Sequence, residues 1–197
     1  MLVRLVSVAH VGLTSVPVDV EVDVASQGFP GFTIVGLAGK AVEEARERVK
    51  TAIVNSGMDF PGKKITVNLA PADLPKDGGA YDLPIAIGIL VASRQLVFER
   101  WERAVFYGEL GLSGDVRTTK GVLLVGLFAK KRKISAVFVP DGSALEAGVV
   151  EGIDVYPVQT LRGLVGHITG LSPLLPLKRK KVDIVESDLV EFDLSEV

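Results

Sequence analysis

The sequence contains no cysteine and only two histidines, and this scarcity excludes several kinds of site. Without cysteine the chain has no disulfide, no thiolate nucleophile, no sulfur-ligated zinc and no iron–sulfur cluster. His10 and His167 each lie among apolar residues, which is more typical of a packed side chain than of a catalytic one. We therefore expect neither thiol chemistry nor a histidine-based hydrolase, and no metal site.

Long uncharged runs are also scarce. The longest, 24–39 and 163–177, are interrupted by glycine, proline and hydroxyl residues, and neither reaches the roughly 18 apolar residues that a membrane helix needs. The N-terminal segment alternates as a strand does and carries Asp19, Glu21 and Asp23, unlike a secretory signal. These features predict a cytoplasmic protein with no membrane partner.

An excess of basic charge is missing as well. The chain has 22 basic and 24 acidic residues, for a net charge of −2. Such a balance gives no overall attraction to nucleic acid or to an anionic membrane. Any contact with a polyanion must therefore be local.

The residues that are present predict a folded α/β or α+β domain. Of the 197 residues, 48% are hydrophobic and 23% are charged, enough for one domain with a core. Strand and helix patterns alternate through the second half, which favours this class. The patterns predict strands within 1–35 and at 64–70, 136–140 and 153–157, a hairpin over 105–117, and helices at 36–57, 82–93, 122–133, 143–148 and 160–169.

The character of the chain changes after Gly170. Proline residues lead into a basic run at 178–181, and an acidic segment follows. Such a sequence is typical of a linker or a solvated arm. We therefore predict a domain over 1–170 and a linker over 171–197.

Glycines before the first long helix suggest a phosphate-binding loop, but the spacing is wrong. The motif needs a glycine where Ile34 stands and a serine or threonine where Ala41 stands. We interpret 36–40 as a glycine turn that opens a helix. No Walker A motif occurs in the chain, so we expect it to bind no ATP.

A second glycine-rich loop, over 71–79, joins a predicted strand to an apolar helix. Paired glycines at a helix start allow close approach of a ligand or of another backbone segment. The candidate ligand residues are Lys76, Asp77, Gly78, Gly79 and Lys120, and we expect at least one of the two glycines to adopt a positive φ or to permit such an approach. The alternative is a tight turn that uses these residues for conformational reasons alone.

Residues 75–78 (PKDG), with 108–110 (GEL) downstream, resemble the proteolytic domain of the Lon proteases. The resemblance implies a catalytic serine two residues after the loop glycine and a catalytic lysine in a later helix. Ala80 and Leu123 stand at these two positions, and the interval between them matches that of the family. Because alanine has no hydroxyl and leucine cannot take a proton, the resemblance implies a domain without peptidase activity.

A closer resemblance covers most of the chain. The chain is similar to the N-terminal domain of the YifB/ComM family of magnesium chelatase-related AAA+ ATPases, through residues 32–37 (FTIVGL), 43–49 (EEARERV), 65–76 (ITVNLAPADLPK), 82–86 (DLPIA) and 108–110. This implies a Lon-like domain of the ribosomal protein S5 domain 2-like superfamily, followed by an ATPase domain that these residues do not include. ATP and Mg²⁺ would belong to that domain, and the partners implied are that domain, further copies in a hexamer, and DNA undergoing branch migration in natural transformation.

Two basic clusters are candidate DNA contacts. They comprise Lys130, Lys131, Arg132 and Lys133 at a predicted helix end, and Lys178 and Arg179 in the predicted linker. The alternative is a solvated helix end and a solvated linker. The expected function is thus a non-catalytic module serving assembly or substrate contact. The alternatives are a peptidase with a displaced dyad and a small-anion regulatory domain.

Overall fold

The computed structural model describes residues 1–36, 39–74, 76, 78–97 and 103–178, with the backbone alone for 39–43. The strands are β1 (Leu2–Val11), β2 (Thr14–Val24), β3 (Gly31–Val35), β4 (Lys64–Ala70), β5 (Val105–Phe106), β6 (Glu109–Leu110), β7 (Val116–Arg117), β8 (Ala136–Pro140) and β9 (Asp154–Val158). The helices are α1 (Gly39–Asn55), α2 (Asp82–Ala92), α3 (Val122–Arg132), α4 (Ala144–Gly148) and α5 (Leu161–Ile168). The predicted α/β class is confirmed.

Seven strands form one mixed sheet in the order β3-β4-β2-β1-β5-β8-β9. β1 pairs with β2, and β2 with β4, in antiparallel fashion. All other neighbours in this sheet are parallel. The first strand of the chain therefore lies in the centre, with an antiparallel neighbour, β2, on one side and a parallel neighbour, β5, on the other.

The alternation along β1 divides the molecule into two cores. Leu5 and Ala9 face the larger core, which also contains buried side chains of α1, α2 and α5. Val8 faces the smaller core, which contains buried side chains of α3 and α4. Because successive strand residues point to opposite faces, the sheet has helices on both sides. Within the described residues, no helix is both long and apolar enough to cross a membrane.

The helix α2 is unusual because it has no exposed side. All eleven of its residues are buried, and it packs against β1, β2 and α1. Gly88 permits the approach to the sheet, since a Cβ there would lie 2.5 Å from the Val22 side chain. A helix that is apolar all round is stable only where it is enclosed.

The predicted helices and long strands are confirmed to within a few residues, but the hairpin over 105–117 is only partly correct. Its first part, β5, is fully buried and pairs in parallel with β1 and β8 in the main sheet. Only β6 and β7 form the antiparallel ribbon. The division falls at Gly108, where a Cβ would lie 2.8 Å from Val116.

The region after Gly170 begins packed on the domain. The Leu177 amide donates a hydrogen bond to the Val155 carbonyl at 2.8 Å, and the Leu174 amide donates to His167 Nδ1 at 2.9 Å. Residues 171–177, which the sequence assigns to the linker, thus lie against the domain. Residues 179–197 lie outside the described residues, and the predicted boundary at 170 stays a prediction.

Candidate functional site

A pocket of about 590 Å³ lies where the end of β1 meets two loops, and we call it the loop pocket. One loop precedes α2 and contributes Gly78, Gly79 and Ala80, and the other precedes α3 and contributes Lys120. Its remaining lining residues are Val8, Ala9, His10, Gly12, Tyr81, Tyr107, Glu109, Thr118, Thr119, Gly121 and Leu124. The structure therefore brings together three of the predicted ligand residues with the predicted nucleophile position.

Three glycines shape this pocket. Gly78 has φ +78°, in the left-handed region that favours glycine. Gly79 has Glu109 against it, because a Cβ would lie 2.6 Å from Glu109 Cγ. Gly121, with φ +81°, stands just before α3 and against His10. The predicted positive φ is confirmed at Gly78. The group that lies close to Gly79 is the Glu109 side chain, not the ligand or backbone segment that the sequence predicts.

Lys76, another predicted ligand residue, does not line the pocket. Its ammonium group donates to the Pro71 carbonyl and, at 3.2 Å, to the Leu74 carbonyl. The side chain is buried, and burial lowers the pKa of Lys76. The lysine that lines the pocket is the exposed Lys120. Asp77 lies outside the described residues.

Neither position of the Lon-type dyad carries a reactive group. Ala80 is buried and presents only a methyl group to the pocket. Leu123 lies in the first turn of α3, is 39% exposed, and does not line the pocket, whereas its neighbour Leu124 does. This pair has no nucleophile and no base.

His10, which the sequence indicates to be a packed side chain, also lines the loop pocket. The Ser15 hydroxyl donates its single proton to the Leu124 carbonyl at 3.1 Å. It must therefore accept at His10 Nδ1, 3.0 Å away, which assigns the proton of the neutral ring to Nδ1. Burial lowers the pKa of His10, which favours this neutral form. Nε2 is consequently an acceptor, and it has no hydrogen-bond partner among the described residues.

The other polar groups give the pocket a mixed character. The Tyr107 hydroxyl donates to the Lys120 carbonyl at 3.1 Å, and burial raises the pKa of Tyr107. Thr119 Oγ1 is buried without a hydrogen-bond partner in the described part of the chain. Glu109 accepts from Arg117 at 3.3 Å. One cation and one carboxylate therefore line the same cavity.

A buried ion pair fixes the start of α2 beneath the pocket. Arg48 Nε lies 2.6 Å from Asp82 Oδ2, and the Leu110 amide donates to the same oxygen at 3.3 Å. Burial nevertheless raises the pKa of Asp82 to about 6, against the opposing effect of Arg48. Arg48 also forms an ion pair within α1, with Glu44 at 3.7 Å. These contacts join α1, α2 and β6 behind the pocket.

The first basic cluster lies at the end of α3. Lys130, Lys131, Arg132 and Lys133 are all exposed, and Lys133 ends the helix in the left-handed conformation, with φ +57°. Of the second cluster, Lys178 is exposed and Arg179 lies outside the described residues. Within the part of the chain that the structure describes, no group of three or more acidic or histidine side chains is placed to hold a metal ion.

An α/β domain with these loops matches a known family model. The model described as subunit ChlI of Mg-chelatase matches residues 20–143, more than half of the chain. The chain belongs to the YifB/ComM family of magnesium chelatase-related proteins.

Curated relatives match almost the whole chain. The uncharacterized protein YifB of Escherichia coli is 40% identical over 96% of this chain. The competence protein ComM of Haemophilus influenzae is 44% identical over 93% of this chain, and YifB of Salmonella typhimurium is 52% identical over 82%. These alignments cover 36%, 35% and 32% of the relatives, so the chain spans about a third of their length.

Proposed function

We propose that this chain is a non-catalytic, Lon-like module of a ComM-like ATPase, and that it serves assembly and contact with DNA. The observation that carries the proposal is the buried methyl group of Ala80 at the pocket wall, with apolar Leu123 at the second dyad position. A pocket is present, and both positions to which the Lon resemblance assigns a reactive group carry unreactive side chains. ATP, Mg²⁺ and the motor activity then belong to the two thirds of the relatives that this chain does not cover.

Exposed apolar pairs support a role in assembly. On α3, Leu123 and Leu127 are 39% and 47% exposed. Leu145 on α4 is 74% exposed, and Val149, which caps the end of α4, is 51% exposed. Each pair has the i, i+4 spacing that places both residues on one helix face. Exposed apolar faces of this kind mark surfaces that other protein segments cover. The ATPase domain or a neighbouring copy in a cytoplasmic hexamer is the proposed occupant.

Contact with DNA is the weaker part of this function for the isolated chain. Lys130, Lys131, Arg132 and Lys133 are exposed at the end of α3, but the whole chain has a net charge of −2. Few phosphate contacts per copy give weak, salt-sensitive binding without sequence preference. A ring multiplies these contacts through effective concentration.

The full-length protein provides the test. We expect it to form an oligomer and to migrate branched DNA with ATP, and we expect Leu123→Gln with Leu127→Gln to weaken the oligomer in sedimentation experiments. The matched control is Leu112→Gln, which changes a leucine that is 53% exposed in the β6–β7 turn. Turnover of an unstructured protein substrate that is lost on mutation of one residue in this chain would contradict the proposal and favour a displaced peptidase dyad.

A second candidate function is a regulatory anion site in the loop pocket. It is favoured by Lys120 and by two helices, α2 and α3, that begin beside the pocket, because helix N-termini favour anions. Titration with phosphate or sulfate should shift the amide NMR signals of Gly78 and Gly79, and Lys120→Gln should abolish this. Unchanged spectra at high anion concentration would exclude the site.

A further inference from the structure

A second pocket, of about 560 Å³, lies between α1, the start of β3 and the loop before β4. We call it the aromatic pocket, because the rings of Phe32 and Phe60 line it. It shares no lining residue with the loop pocket. Neither basic cluster identified from the sequence contributes to it, so it is a separate feature.

The two rings form a partly exposed platform. Their centroids are 5.6 Å apart and their planes are inclined at 50°. Both side chains are half-buried, with one part packed against the larger core. Phe29, just before the pocket residue Pro30, is 93% exposed. Three aromatic side chains thus lie at or beside one cavity, in a chain of which only 6% is aromatic.

The charges around these rings are mostly positive. Arg46, Lys50 and Lys63 line the pocket, and the single carboxylate is that of Glu47. The Lys50 ammonium lies 6.0 Å from the centre of the Phe60 ring. Arg46 Nε is buried and has no hydrogen-bond partner among the described residues. A local excess of positive charge next to aromatic faces contrasts with the net charge of −2 for the chain.

We propose that the aromatic pocket binds single-stranded DNA, with one base stacked on the ring face of Phe32 or of Phe60 and the adjoining phosphates on Lys50, Arg46 and Lys63. Aromatic stacking next to a basic groove is the usual chemistry of single-strand binding without sequence preference. The choice of DNA rests on the proposed function. The protein groups themselves recognise a flat base and an anionic backbone.

The arrangement favours a strand over a duplex or a free nucleotide. In a duplex the base faces are stacked on neighbouring base pairs, so a base reaches the platform only from a single strand. The cations outnumber the phosphate of one nucleotide, and Phe29 offers an exposed face to a second base outside the pocket. Several consecutive nucleotides use these groups together, whereas a mononucleotide uses only part of them.

The test measures binding of a fluorescein-labelled oligodeoxythymidine by anisotropy at about 50 mM salt, where phosphate contacts are strong. Phe60→Leu keeps an apolar side chain on the core and removes the ring face, and we expect it to weaken binding about fivefold or more. Lys50→Gln should weaken binding and reduce the slope of log K against log salt by about 0.7, the value for one phosphate contact on a single strand.

The matched control is Arg103→Gln, which removes one positive charge from an exposed residue outside both pockets and both basic clusters. Lys131→Gln tests the separate contact through α3. Thermal unfolding of each variant shows whether the fold is kept. Ultraviolet cross-linking of the oligonucleotide, followed by peptide mass spectrometry, provides a readout that does not depend on substitution. We expect the attachment points to lie on the peptides that contain Phe29, Phe32 or Phe60.

The outcomes separate this inference from the proposed function. If Lys131→Gln weakens binding while folded Phe60→Leu and Lys50→Gln do not, the aromatic pocket is not the site, although DNA contact through α3 stands. Cross-links confined to other peptides, or mononucleotide binding as tight as that of the strand, overturn the inference as well. If full-length protein fails to migrate branches but strand binding depends on Phe60, the proposed function fails and the pocket stands.

Discussion

The two pockets differ in what holds their walls. The loop pocket is shaped by three glycines: Gly78 has a positive φ, and Gly79 and Gly121 lie against the side chains of Glu109 and His10. It rests on buried side chains of the fold. The aromatic pocket is lined by side chains such as Lys50 and Lys63, which project from the surface. The shape of the first pocket therefore depends on the backbone and on the core behind it. The binding surface of the second pocket can change with little effect on stability.

The largest expected effect is at the ion pair under the loop pocket. Asp82→Ala leaves Arg48 without its buried partner, and the free energy of unfolding should fall by about 3 kcal/mol. Chemical denaturation measures this loss. Glu44→Gln, which removes the exposed partner of the same arginine, should cost about 0.5 kcal/mol or less. Equal losses in the two variants would show that the pocket is not anchored here.

A smaller effect compares one glycine from each pocket. Gly78→Ala places a side chain at φ +78° and should destabilise the protein by about 1 kcal/mol. Gly62→Ala, in the aromatic pocket, meets no atom within 4 Å and has no such φ, so stability should hardly change. Thermal unfolding of both variants provides the measurement. A loss of stability in Gly62→Ala as large as that in Gly78→Ala would contradict the difference that we infer between the two pockets.

The pH dependence of His10 is a further, smaller effect. Burial holds the pKa of His10 below its ordinary value of 6.5 in the folded state. The folded state therefore binds fewer protons than the unfolded chain, and this contribution to stability, present above pH 6.5, is lost as pH falls through the folded pKa. NMR titration gives the pKa directly. In His10→Gln this part of the pH dependence of unfolding should be missing, and an ordinary or raised pKa would contradict the effect of burial on His10.

Surface substitutions in the aromatic pocket should have almost no effect on folding. Lys50→Gln removes an exposed charge and should change the free energy of unfolding by about 0.5 kcal/mol at most. Denaturation curves of this variant and of Lys131→Gln should coincide. A loss above about 1 kcal/mol would mean that Lys50 supports the fold through Phe60, and the contrast between the pockets would weaken.

For the last substitution, a double change at the dyad positions, we expect no gain of activity. Ala80→Ser combined with Leu123→Lys introduces the two residue types of the Lon dyad. Because Leu123 does not line the loop pocket, the new lysine is not attached at the pocket wall. Catalysis requires placement to within about half an ångström. We expect no hydrolysis of an unstructured protein substrate. Measurable turnover by the double variant, absent from each single variant, would show that positions 80 and 123 are placed for catalysis.

The sequence predicts the long elements because their patterns are strong. Val18, Val20 and Val22 are fully buried and alternate with acidic residues along β2, as expected for a strand with one face on the core. The two-residue strand β5 has no such pattern. Its partners, β1 and β8, are distant in sequence. The local sequence pattern therefore favours a hairpin in which β5, instead of β6, is the first strand.

The candidate sites show the same limit. Gly78, Gly79 and Lys120 are found from motifs. The hydrogen-bond partner of each polar side chain depends on the three-dimensional fold, which the motifs do not give. Lys76 is bound by carbonyl groups of its own loop, which no spacing rule predicts. His10 lies against Gly121, which is distant from it in the sequence. The aromatic pocket joins three separate segments, and its aromatic and basic residues form no contiguous motif.

The enclosed helix α2 has a consequence for how the chain is made. Its eleven residues have no polar side to turn to water, so the segment has nowhere to pack until β1, β2 and α1 are in place around it. All three precede it in the sequence and emerge first from the ribosome. Synthesis from the N-terminus therefore builds the enclosure before the segment that needs it, and a chain lacking β1 should expose α2 to chaperones and aggregation.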